Sequence, residues 1–299
     1  MPYTGNMTRS WFPVVFACLA PLSQAIYGAG SLDAPGFDYV GMLSGSSAAV
    51  VGPNWVLTAK HVGGVEFLLN GVKYVAEQRY DNPDADIALL RFKETFAGWY
   101  SPYYGDPTGQ TLHYVGFGLT ASFRTESVCL EAYGASGAQY MYTGYHMATN
   151  TGGVKRMMTN TAGGLQTVDY GWGAGWIQKC IVADLDYTSD LAPAGSRVDT
   201  LGDGGATALE GGLLYGDSGS PAFLLVNGQW RIVGVNVAID DANGPNPGGD
   251  DNYLDFGDVF YSTWVGEYRE WMETTMNPVP EPANLGLGLA AALRKRRKK

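Results

Sequence analysis

The chain of 299 residues reads as an all-β body closed by one C-terminal helix, and three observations carry that reading. Glycine occurs 42 times, well above the roughly 7% usual in proteins, and without a three-residue period it signals turns rather than collagen. Short apolar runs alternate with turn signals. A single segment near the end carries apolar residues at helical spacing.

In chain order, Ala48 to Val51 runs into Gly52-Pro53, and Trp55 to Thr58 follows. Val65 to Leu69 and Val72 to Ala76 flank Asn70-Gly71, a pair suited to a tight type I′ turn because both central residues need positive φ. Ile87 to Phe92, Leu112 to Val115, Ile181 to Leu185, Ala222 to Val226 and Trp230 to Val237 continue the strand pattern. Trp264, Tyr268, Trp271 and Met272 define the helix, with Ser262 and Thr263 as N-cap candidates and Glu267 to Glu273 on its exposed side.

Charge separates the ends from the body. The whole chain is at −10, so phosphate neutralisation cannot drive binding and no nucleic-acid partner is expected. Arg9 precedes an apolar stretch, Trp11 to Leu22, and then Ser23-Gln24-Ala25, which reads as a secretory signal over residues 1–25. At the other end Val279-Pro280-Glu281-Pro282 leads into an apolar stretch, Ala283 to Leu293, and then Arg294 to Lys299, all basic. Eleven residues span about 16 Å as a helix, short of the roughly 30 Å hydrocarbon core. Without residues 1–25 and 277–299 the body holds 12 basic against 28 acidic residues, a net near −16. Cys129 and Cys180 lie in that body, and an oxidising setting allows them to pair. No Cys/His cluster has zinc spacing, and no metal or other cofactor is expected.

Three segments carry chemistry: Thr58-Ala59-Lys60-His61, Asp84-Ala85-Asp86-Ile87-Ala88-Leu89-Leu90, and Gly216-Asp217-Ser218-Gly219-Ser220-Pro221. A serine hydroxyl is a weak nucleophile at neutral pH and needs an imidazole to take its proton. The imidazole needs a carboxylate to fix its tautomer. These blocks supply Ser218, His61 and Asp86 at the ends of predicted elements.

The blocks and their order resemble the signature motifs of the trypsin/chymotrypsin-like serine proteases, T-A-A-H-C, D-I-A-L-L and G-D-S-G-G-P. An α/β-hydrolase would place the nucleophile first within G-x-S-x-G, whereas position 220 is Ser. The resemblance extends to Gly116-Phe117-Gly118, to Asn227-Gly228-Gln229-Trp230 and to the final helix, and so covers most of residues 26–276. It implies two six-stranded antiparallel β-barrels with the catalytic residues between them. It also implies an oxyanion hole from the amides of Gly216 and Ser218, no cofactor, and peptide or protein substrates. The C-terminal residues 277–299 resemble the PEP-CTERM sorting tail of Gram-negative bacteria, which implies export to the periplasm, cell surface or medium, with signal peptidase and an exosortase as processing partners.

Several positions depart from the family pattern or qualify it. Lys60 and Val62 replace the Ala and Cys that flank the histidine, so packing must hold His61 where the family uses a disulfide, and Ser220 replaces a glycine in the nucleophile turn. Cleavage after Ala25 exposes Ile26, which the resemblance makes the ammonium partner of Asp217; a structural Asp217 bonded to nearby amides is the other reading. Gly212 stands where trypsin-like members carry the specificity aspartate, and Ile239 falls on the strand that lines the pocket, which together imply a small or apolar side chain before the scissile bond. Glu210 and the acidic loop Asp240, Asp241, Asp250 and Asp251 leave basic substrates open, and that loop fits no EF-hand spacing. His113, in a strand, and His146, in a loop, read as ordinary polar residues. A secreted serine endopeptidase is thus the leading expectation, with a non-catalytic surface or matrix binding protein on the same body as the alternative.

Overall fold

The computed structural model describes residues 36–129, 139–170, 176–186, 199–240 and 253–277. Residues 1–25, Ile26, the loop from Asp241 to Asp251 and residues 278–299 lie outside these residues.

β1 (Val40–Leu43), β2 (Ser46–Gly52), β3 (Trp55–Thr58), β4 (Glu66–Leu69), β5 (Val72–Val75), β6 (Gln78–Asp81) and β7 (Ala88–Arg91) form an antiparallel sheet in the order β5-β4-β1-β2-β3-β7-β6. Composition explains the order. β2 and β3 are buried almost throughout and take the centre, whereas β5 and β6, with no buried residue, take the edges. The Asn70-Gly71 turn joins β4 to β5 with φ of 50° and 80°, as a type I′ turn requires.

The second half contributes β8 (Thr111–Gly116), β9 (Thr120–Cys129), β10 (Gln139–Ala148), β11 (Arg156–Thr161), β12 (Gly164–Asp169), β13 (Ile177–Asp184), β14 (Pro221–Val226), β15 (Gln229–Asp240), β16 (Tyr253–Asp255) and β17 (Val259–Trp264). Seven of these form a sheet in the order β11-β8-β14-β15-β17-β13-β12, and β16, β10 and β9 form a small third sheet. His146 therefore lies in a strand, paired with Ser122 and Tyr253, and not in a loop. The molecule is all-β with a curled, half-barrel sheet and one helix, α1 (Arg269–Met276). Each large sheet has seven strands, and among the described residues its two edge strands do not pair with each other.

The helix starts later than its apolar spacing predicts. Ser262 and Thr263 do not cap it; they are buried in β17, which runs between β15 and β13 at the interior of the second sheet. Pairing to two neighbours holds that segment extended, and α1 opens after Tyr268 with no side-chain cap.

One apolar core joins the halves. Phe223 on β14 packs its ring 4.8 Å from both Phe37 and Tyr100, and Trp230 on β15 lies 5.0 Å from Phe37. Tyr103 and Ile232 fix the connecting chain to β15, with the Tyr103 N–H donating to the Ile232 carbonyl at 2.8 Å. Cys180 is a free, buried thiol 3.3 Å from the Tyr170 hydroxyl, so the pairing with Cys129 is not formed. Burial pushes that thiol up to about 11, which keeps it protonated and unreactive at neutral pH. Among the described residues no helix is long and apolar enough to cross a membrane.

Candidate active site

His61 follows β3, whose four residues are buried between β2 and β7. Asp86 precedes β7, which pairs with β3, so adjacent strands deliver the two side chains to one place. The contact is two-pronged: the His61 N–H donates to Asp86 Oδ1 at 2.8 Å, and ring Nδ1 meets Asp86 Oδ2 at 2.5 Å. A carboxylate only accepts, so Nδ1 carries the ring proton and the Nε2 lone pair is left free. Asp86 is 1% exposed and the His61 side chain 27%, so the acid is sealed while the base reaches solvent.

The second half secures the acid. Gln178 on β13 accepts the Asp86 N–H at 2.5 Å, and the Thr263 hydroxyl on β17 donates to the Asp86 carbonyl at 3.2 Å. These bonds also explain why Thr263 belongs in the sheet rather than at a helix end.

Arg79 on β6 braces the loop that carries His61. Its guanidinium donates to the carbonyls of Lys60 at 2.7 Å, Val62 at 2.8 Å and Gly64 at 3.2 Å, and to Asp81 Oδ1 at 2.7 Å. One planar fork thereby ties the His61 loop to the sheet edge at three points, while Asp81 on the same strand holds the fork in place. Replacing Arg79 by Gln is expected to lower kcat/KM by roughly ten- to a hundredfold through loosening of His61. Steady-state kinetics on a peptide substrate, with circular dichroism as the folding control, checks this.

Ser218 arrives from the other half, in a turn built by its neighbours. The Ser220 N–H donates to the Asp217 carbonyl at 2.9 Å, and the Ser220 hydroxyl donates to the same oxygen at 2.5 Å while accepting from Asn236 Nδ2 at 2.6 Å. Ser220 therefore reinforces the turn. Ser47 at the start of β2 docks it on the first sheet: its N–H donates to the Ser218 carbonyl and its hydroxyl to the Gly216 carbonyl, each at 3.0 Å. Gly219, at φ 78°, lies flat against β3, where an added Cβ would stand 2.1 Å from Thr58 Oγ1 and 2.3 Å from the Ser47 carbonyl.

That docking brings the Ser218 turn against the residues leading to His61, and leaves two donors unused. The amides of Gly216 and Ser218 donate to no acceptor among the described residues. Among the described residues the Ser218 hydroxyl and His61 Nε2 are likewise without hydrogen bonds, so His61 and Asp86 are in contact while Ser218 is bonded to neither. Serine and imidazole bonds of this kind are commonly long without substrate and tighten when it binds.

Asp217 is fully buried, accepting from the Gly118 N–H at 2.9 Å and the Leu214 N–H at 3.0 Å. The carboxylate fits because residue 118 is glycine: a Cβ there would lie 2.5 Å from Asp217 Cγ. Burial pushes the carboxyl up to about 7, against the lowering effect of the two amides and of Arg156. A raised folded value means that protonation favours the folded state, so this contribution is full below about pH 4 and is lost as pH rises through about 7. Between those limits, unfolding free energy is expected to fall with pH more steeply in the wild type than in Asp217→Asn. Parallel urea titrations measure the two slopes.

The remaining predicted residues flank the turn. Gly212 is buried two residues before Leu214, and Ile239 on β15 is 39% exposed, three residues beyond the Asn236 that holds Gly219. Glu210 is not presented to a basic substrate: Asn160 Nδ2 and the Asp186 N–H occupy Oε1, and the Thr207 N–H and hydroxyl occupy Oε2. Burial pushes its carboxyl up to about 8. His113 packs on Trp230 at 4.6 Å and burial lowers its proton affinity. The carboxylates able to share a metal ion, Asp184, Asp186, Asp199 and Asp203, belong to the end of β13 and the 199–203 segment rather than to the His61–Asp86 pair.

Ser47, Arg79, Gln178 and Thr263 carry no motif. No protein-family model matches this chain, and no curated protein sequence matches it.

Proposed function

We propose that the protein is an exported serine endopeptidase in which His61, Asp86 and Ser218 act as a catalytic triad on a trypsin-like body of two barrels. The observation that carries the proposal is the docking of the Ser218 turn by Ser47 on the first sheet, the sheet that also delivers an imidazole whose Nδ1 is already committed to Asp86. The His61–Asp86 pair and the moored Ser218 turn supply the group types that acyl transfer needs, and two unused amides accompany them.

The chemistry follows from the unspent atoms. With its proton on Nδ1, His61 offers the Nε2 lone pair to the Ser218 hydroxyl as a substrate brings the two together. Ser218 Oγ bonds to the scissile carbonyl carbon, and its proton passes to Nε2. The carbonyl π-bond opens onto oxygen, whose charge the Gly216 and Ser218 amides receive; one such donor is typically worth about 3 kcal/mol. Collapse breaks the C–N bond, and the proton on Nε2 leaves with the amine. Water then repeats the sequence on the acyl-enzyme and frees Ser218. Asp86 stays ionised throughout and keeps the imidazole in register.

Gly212, with no side chain to offer, and Ile239 favour a small or apolar side chain before the cleaved bond, and the occupied Glu210 weighs the same way. The two amides that hold Asp217 support its structural role over pairing with an Ile26 ammonium. Residues 1–25 and 277–299 would direct export and surface sorting. Digestion of a peptide library by the processed protein tests the reading. Cleavage after small or apolar residues is expected; a profile dominated by Lys and Arg overturns the pocket assignment, and the absence of any cleavage favours a binding protein on the same body.

A further inference from the structure

Asp184, Asp186, Asp199 and Asp203 each bring a carboxylate oxygen to within 4.8 Å of the others. Asp184 closes β13, Asp186 follows it, and the other two come from the 199–203 segment, whose Thr200 and Leu201 amides bond to Asp184 Oδ2. Four negative groups at this spacing repel strongly. Among the described residues no lysine or arginine forms an ion pair with any of them.

A second observation concerns Asp186 alone. It is 2% exposed, and both carboxylate oxygens are sealed from solvent with no hydrogen-bond partner. Asp184 Oδ1 and both oxygens of Asp203 are in the same condition. A carboxylate buried without donors costs several kcal/mol, and native structures rarely keep one without a compensating charge.

The geometry points to a calcium-binding site formed by Asp184, Asp186, Asp199 and Asp203. Two oxygens on one Ca²⁺, at about 2.3–2.6 Å each, stand at most about 5 Å apart, which the four carboxylates satisfy. The donors are all hard oxygens with no His or Cys, which disfavours zinc and copper. Mg²⁺ holds its water and usually takes one or two carboxylates, so a cage of four selects the larger ion. Bound there, the ion would clamp the 199–203 segment to the end of β13. The inference is independent of peptide hydrolysis, and Ser218→Ala protein is expected to bind calcium as the wild type does.

Calorimetric titration of metal-stripped, full-length mature protein with CaCl₂ tests it, with MgCl₂ in parallel. One Ca²⁺ per chain is expected, with Kd at or below the millimolar range and at least tenfold tighter than Mg²⁺. The melting temperature should rise by roughly 5–10 °C at a hundredfold excess over Kd. Asp186→Asn and, separately, Asp199→Asn should each weaken binding at least tenfold. Asp199 is exposed, so that variant decides the matter even where Asp186→Asn does not fold. No calcium binding to the wild type overturns the site, as does equal affinity for Mg²⁺. Unchanged affinity in Asp199→Asn overturns it too, because the ion then sits elsewhere.

Discussion

Removing the Ser218 hydroxyl is expected to lower kcat on a peptide substrate by about a millionfold, and removing His61 as well is expected to add almost nothing. In the proposed mechanism the two groups perform one act, transfer of a proton as a bond forms, so losing either would leave the other idle. Asp86→Asn should fall short of that, at about ten-thousandfold. In the structure Asp86 accepts from the His61 backbone at Oδ1 and from ring Nδ1 at Oδ2. An amide can keep only one of these. If its oxygen stays on the backbone N–H, its NH₂ faces Nδ1 and forces the ring proton to Nε2, where it blocks acceptance of the serine proton. Single-turnover kinetics on the three variants and the Ser218/His61 double variant distinguish this account from one in which Asp86 merely braces the loop: a loss of less than tenfold in Asp86→Asn contradicts it. Unchanged melting temperatures would show that chemistry and not folding was removed.

Gly219→Ala is the second large effect, and it acts on architecture. At φ 78° an alanine is strained in any surroundings, and here its Cβ would also stand 2.3 Å from the Ser47 carbonyl. That carbonyl has little room to retreat, because Ser47 is fully buried and the Thr58 hydroxyl donates to it at 3.0 Å. The turn must lift off the first sheet and release the two Ser47 bonds that seat Ser218. A stability loss of roughly 3 kcal/mol or more is expected, together with at least a hundredfold loss of kcat/KM from displacement of Ser218. Urea denaturation and kinetics on the same sample measure both. Wild-type behaviour would show that Ser218 is not held by this docking.

What the residues disclosed and what they hid divides along sequence distance. Asn70-Gly71 announces its hairpin because the turn needs only its own two residues, and the apolar runs around Val56 and Leu89 announce strands buried on both faces. β6 and β12 escaped notice because edge strands carry mixed, exposed side chains and no apolar alternation. Trp264 and Tyr268 have helical spacing by coincidence: the first ends a strand whose place in the sheet is fixed by β13 and β15. The triad candidates were legible because each sits in its own short block. Their supports were not, since Ser47 lies 169 positions from the Gly216 it anchors and Thr263 lies 177 from Asp86. The aspartate cluster joins residues on either side of a long connection, while the denser acidic run after Asp240 drew the eye.

The central claim is that Ser218 is an activated nucleophile, and labelling of the mature wild-type protein with a fluorophosphonate probe tests it most directly. The reagent phosphonylates a serine only where a base takes the proton and donors receive the developing charge. The account predicts one adduct per chain, mapped by mass spectrometry to the peptide containing Ser218, absent from Ser218→Ala and strongly slowed in His61→Ala. No adduct on folded wild type, or an adduct that persists in Ser218→Ala, contradicts it.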